Sequence, residues 1–155
     1  MHFRQYTTVG LCLLFIFSTS LSLRADDGKN TILATTAYLS GNLLFTTYTL
    51  IGTINDTYVL NSLGKEISVT MLEEQINLMN GAAEQYQKVM DSDFLTNEAD
   101  LISIQDFLRC SQLLKKEAEE LRKLISSNYV LSAERYLDAR DKAWKVVKSI
   151  LQLSD

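Results

Sequence analysis

Residues 30–55 read NTILATTAYLSGNLLFTTYTLIGTIN and carry no charged side chain. Charged residues make up 22% of the whole chain, so a stretch this long without one is built either for a protein interior or for a membrane. A heptad frame puts Leu33, Ala37, Ser40, Leu44, Thr47, Ile51, Ile54 and Tyr58 on one seam. Leu39, Leu43, Phe45 and Leu50 fall off it, which predicts a helix apolar on most sides and therefore buried on most sides. We read it as the first and most buried helix of a small bundle, spanning residues 32–63, with Gly64 as its C-cap. Its threonines fit a helix because their hydroxyls can bond the carbonyl one turn back. Ala37, Gly41 and Gly52 share a face at spacings of four and eleven, so another helix can approach closely there.

Two competing readings of this stretch exist. Its Thr, Tyr, Ile and Phe content would suit a β-hairpin over residues 43–60 turning at Asn55-Asp56. The adjacent apolar residues Leu43-Leu44-Phe45 and Leu50-Ile51 break the alternation that a hairpin needs. A membrane span is the other, and Asn42 with the many hydroxyls dilutes its hydropathy.

Upstream, residues 1–25 have the layout of a secretory signal peptide: His2 and Arg4, an apolar run over residues 9–23, and Leu23-Arg24-Ala25 before Asp26. The run is shorter than the roughly 20 residues that span a bilayer. We expect cleavage before Asp26 and a periplasmic or extracellular mature chain of residues 26–155, a single helical domain. The alternative is an uncleaved N-terminal anchor.

Downstream, three further seams alternate in steps of three and four. Residues 69–90 carry Val69, Leu72, Ile76, Met79, Ala83, Tyr86 and Met90, opened by a Thr70–Glu73 capping box or by Ser68. Residues 97–125 carry Ile104, Phe107, Ser111, Leu114, Ala118, Leu121 and Ile125, with Thr96 as N-cap and Glu98 and Asp100 suiting the first turn. Residues 130–153 carry Val130, Ala133, Leu137, Arg140, Trp144, Val147 and Leu151. There is no proline to break them. Short connections favour antiparallel neighbours, so the expected fold is all-α: an antiparallel up-down-up-down four-helix bundle with coiled-coil-like packing.

Composition excludes several chemistries. The one histidine is His2, in the signal, which removes Ser-His-Asp, Cys-His and histidine-ligated metal sites from the mature chain. Bundle di-iron sites need Glu-x-x-His and c-type haem needs C-x-x-C-H; neither is present. Glu73-Glu74 and Glu119-Glu120 are adjacent and diverge by about 100° on a helix, so they read as surface. Lys116–Glu120 and Glu119–Lys123 are four apart and read as solvated pairs. No catalytic residue, metal or cofactor is expected. Without Arg4 and Arg24 the chain keeps 13 basic against 19 acidic residues, net −6, a poor match to nucleic acid.

Two features keep a site open. Arg140 intrudes on an apolar seam one turn before Trp144, and helix 1 brings Tyr48. Either Arg140 is peripheral or pairs with a carboxylate such as Asp56 or Glu84, with Trp144 in the core, or it holds an anionic ligand. Cys110, the one cysteine left after cleavage, lies beside its seam, either as a small, partly buried core residue or as a source of an intermolecular disulfide. The expected function is that of an exported, non-enzymatic protein-interaction module with protein partners. The alternative is a small-molecule or lipid carrier whose pocket lies between helix 1 and helix 4.

Overall fold

The computed structural model describes residues 28–95, 97–127 and 130–153; the expected signal peptide and Thr96 lie outside them. Among these residues four helices follow one another: α1 (Gly28–Val59), α2 (Lys65–Met90), α3 (Glu98–Ser127) and α4 (Val130–Ile150). The described residues contain no strand, so residues 43–60 are helix up to Val59 and not a hairpin. No helix among them is long and apolar enough to cross a membrane. The arrangement is consistent with a helical bundle. The compact unit Thr36–Asp155 holds the core; the described part of the other unit, Met1–Thr35, is the first turns of α1.

The turns differ from the expected ones for local reasons. α1 stops at Val59, four residues early, because Asn61 takes the left-handed conformation (φ 53°). The Ser62 N–H then bonds the Thr57 carbonyl at 2.8 Å and the Asn61 N–H bonds the Tyr58 carbonyl at 2.9 Å, which closes a Schellman motif. Gly64 is thus not a C-cap; it sits extended (φ −70°, ψ 157°) at the N-cap of α2. The Thr70–Glu73 capping box does not form either. Thr70 lies inside α2 and its hydroxyl donates to the Glu66 carbonyl, as that of Ser68 does to Gly64. α3 is capped by Asn97, whose Oδ1 accepts from the Ala99 N–H at 2.9 Å. α4 ends as α1 does, with Gln152 left-handed and the Leu153 N–H on the Lys148 carbonyl.

α3 is the most buried helix. Its whole seam from Ile104 to Ile125 is buried, and Cys110, Glu117 and Glu120 add a second buried row. The expectation that α1 holds this place fails because α1 buries one stripe only: Ser40, Gly41, Leu44, Thr47, Ile51, Gly52 and Ile54. Its opposite side, with Leu39, Thr46, Thr49 and Thr53, faces solvent. On α2 the buried set is Leu72, Ile76, Met79 and Tyr86 with Ser68 and Gln75. On α4 the buried row is Ser132, Tyr136, Ala139, Ala143 and Val147. That row is turned from the expected seam: Leu137 is 61% exposed, and Arg140 and Trp144 sit at the margin. The small residues Ala139 and Ala143 allow close approach, a gain that the larger side chains of the expected frame would forgo.

Contacts between helices run in reversed order. Lys65 Nζ donates to the Ser126 carbonyl (2.7 Å), Glu73 pairs with Arg122 (3.2 Å), and Tyr86 meets Phe107 (ring centroids 5.7 Å). Between α1 and α4 the partners are Gly41 with Leu151, Tyr48 with Trp144 and Gly52 with Arg140.

Candidate functional site

The site is assembled on Arg140. On α4, Arg140 and Trp144 are one turn apart and therefore share a face. Across from them on α1, Tyr48 and Gly52 are likewise one turn apart. The Tyr48 ring stacks on Trp144 with centroids 5.1 Å apart and planes at 24°. Arg140 Cζ lies 4.2 Å from the centroid of the same ring, a cation–π contact. The absent side chain of Gly52 makes this possible: a Cβ there would stand 2.5 Å from Arg140 Nη2 and 3.0 Å from Cζ. A Cβ on Gly41, three turns earlier, would meet Leu151 at 3.3 Å. The shared glycine face read in the sequence is therefore a packing face, and α4 is its partner.

The charge partner of Arg140 is Glu117 on α3, which sequence reasoning missed; Asp56 and Glu84, the carboxylates expected for this role, are exposed and form no salt bridge with Arg140. Arg140 Nη1 donates to Glu117 Oε1 at 2.6 Å and makes a long 3.5 Å contact to the Tyr48 carbonyl. The signal for Glu117 was present, three residues after Leu114 and four before Leu121, which puts it on the buried face of α3. It was hidden inside a run of lysines and glutamates that reads as a solvated surface. The same run hid Glu120, also buried, whose Oε1 accepts from Lys123 Nζ at 2.8 Å; Lys115, not Lys116, pairs with Glu119.

Glu117 is fully buried and its second oxygen, Oε2, has no hydrogen-bond partner in the protein. Burial pushes its carboxyl up to about 7, with the charge and hydrogen bond of Arg140 acting in the opposite sense. For the Glu117 carboxyl, desolvation therefore outweighs the pull of Arg140. Burial also lifts the phenol of Tyr136, beside the pair, to about 12, and raises that of Tyr48. A carboxyl titrating near neutrality is suited to acid–base work, but Glu117 exposes no surface to a substrate.

The three residues singled out from the sequence, Arg140, Trp144 and Tyr48, are therefore brought together, and Glu117 and Gly52 complete the cluster. Cys110 is placed apart, on the buried row of α3 one heptad before Glu117. Burial drives its thiol up to about 12, with the Glu117 and Asp106 charges adding to it. The thiolate is the reactive form, so a disulfide to a second molecule would require α3 to lift off its neighbours. Among the described residues no three of His, Cys, Asp and Glu are grouped to hold a metal ion.

Among the described residues, fold and cluster together define an all-α arrangement of four helices with an internal Arg–Glu–aromatic clasp. Compared with protein-family models, curated proteins and solved structures, the chain matches none.

Proposed function

We propose that this is an exported, non-enzymatic protein that acts through contacts with other proteins. On this reading residues 1–25 are removed as a signal peptide, and residues 26–155 work in the periplasm or outside the cell as one antiparallel up-down-up-down four-helix bundle. The apolar run over residues 9–23 supports export, and the reversed contacts between helices support the alternating direction. One observation carries the interaction reading. The polar cluster at Arg140 is spent inside the protein, with its guanidinium committed to Glu117, to the Tyr48 ring and to the space over Gly52. What remains for function is the outer surface, which is acidic and so unsuited to nucleic acid.

The test is native mass spectrometry of the chain recovered from an exporting host, with a screen for turnover on the same sample. The expected species begins at Asp26 and carries no small molecule. An intact N-terminus would overturn cleavage, and turnover would overturn the non-enzymatic reading. A bound ligand would replace it with the carrier reading. That reading has its own support, because Arg140 stays 28% exposed beside half-buried Tyr48 and Trp144.

A further inference from the structure

Glu117 is drawn in two directions by its surroundings. Its side chain is fully buried, and an ionised carboxylate there would seek several donors. Among the described residues it has one, Arg140, through the 2.6 Å bond to Oε1. Oε2, dry and without a donor, favours the protonated form. The charge-assisted bond at Oε1 favours the ionised one. The two forms therefore lie close in free energy, in keeping with a carboxyl that burial raises to about 7.

Arg140 is placed to tolerate either form. Its side chain is 28% exposed, its guanidinium carbon lies 4.2 Å from the Tyr48 ring centroid, and that ring stacks on Trp144. With water on one side and a ring face on the other, it stays charged without a carboxylate. We propose that Glu117 and Arg140 form a proton-operated charge switch. A proton bound at Oε2 leaves Oε1 able to accept from Arg140 but removes the negative charge. Arg140 then passes from half of a neutral pair to an uncompensated cation at the surface between α1 and α4.

The other ionisable groups around the pair do not take this proton. Histidine, the usual sensor near neutrality, is absent from the described residues, since the one in the sequence is His2. Tyr48 of α1 and Tyr136 of α4 are raised by burial, Tyr136 to about 12, and the carboxylates acting on them, Asp56 and Asp141, are exposed. On α3 the Cys110 thiol stands at about 12, through burial and the Glu117 and Asp106 charges. α2 turns Lys65, Glu66, Glu73, Glu74, Glu84 and Lys88 to solvent, and burial raises its inward phenol, Tyr86.

The switch needs no partner or ligand, so it stands or falls apart from the interaction reading. The test is a titration of the chain from about pH 5 to 9. It follows the Glu117 carboxyl carbon by NMR and the fluorescence of Trp144, the only tryptophan in the sequence. The expected result is a one-proton transition centred at about 7 in both signals, at unchanged helical circular dichroism. Glu117→Gln removes both transitions while leaving the N-terminal amine, which titrates in the same range. Arg140→Met moves the midpoint up by about one pH unit or more, because no cation then favours the ionised form. A Glu117 carboxyl that keeps one form throughout would overturn the switch. So would a Trp144 transition that survives Glu117→Gln, a carboxyl titration to which Trp144 is silent, or a midpoint unmoved in Arg140→Met.

Discussion

Replacing Arg140 with Met keeps most of the aliphatic stem and removes the charge, and the consequence can be worked out from the site. Glu117 Oε1 loses its donor, and Oε2 has none to begin with. Breaking a buried pair from one side costs about 3–5 kcal/mol, because the remaining charge is stranded. The cost depends on pH, with a definite sign. The carboxyl of Glu117 is raised from 4.5 in the unfolded chain to about 7 in the fold, so the folded state holds the proton more tightly. Its contribution favours folding at or below pH 4.5 and is lost as pH rises to 7, by about 3 kcal/mol at most. Without Arg140 the carboxyl rises further, so the variant suffers most at pH 8 and recovers as Glu117 protonates. Urea denaturation followed by helical circular dichroism and Trp144 fluorescence, at pH 5 and pH 8, reads both effects. With a slope of roughly 2 kcal/mol per molar urea, the midpoint at pH 8 falls by about 1.5–2.5 M. Glu117→Gln keeps the oxygen that accepts from Arg140, holds its stability at pH 8, and flattens the profile between pH 5 and 7.5. The double variant recovers most of the loss at pH 8. A loss below about 1 kcal/mol at pH 8, or the same loss at both pH values, would refute the clasp.

Other outcomes follow from the packing. Gly81 is exposed within α2 and a Cβ there meets nothing within 4 Å, so Gly81→Ala should raise stability by about 0.5–1 kcal/mol in a thermal melt. Gly52→Ala, with the same gain in helix propensity, should instead lower it, since the added carbon displaces a guanidinium held by Glu117. Leu114, fully buried at the centre of α3, should cost about 2–5 kcal/mol when truncated to Ala, read as a lowered urea midpoint. Cys110 should resist alkylation at pH 8 in the folded protein and label rapidly in denaturing urea, as followed by mass spectrometry of its peptide.

Periodicity alone located the helices and, for α3, the entire buried seam, because a long helix that packs on one side must repeat its apolar side chains at the helical period. It also placed the stripe of α1 from Ser40 to Ile54 and assigned the glycine face to close approach. It failed on α4. There, Ala139 and Ala143 are as buried as any larger side chain while Leu137 is not, and a frame weighted toward size cannot tell them apart. It failed at the end of α1 and the start of α2 because the deciding residue was Asn61 in a left-handed conformation, with a glycine three residues later offering an equally good stop.

For the site, the sequence by itself singled out Arg140 with Trp144 one turn on and Tyr48 on helix 1, because a charge on an apolar seam is costly unless it is paired or reaches the margin. Only the tertiary structure decided that the partner is Glu117 and that Gly52 provides the room. Spacing along one helix says which of its residues share a face. It says nothing of which residue on another helix, 23 or 88 positions away, that face will meet; packing the helices against each other fixes those pairs.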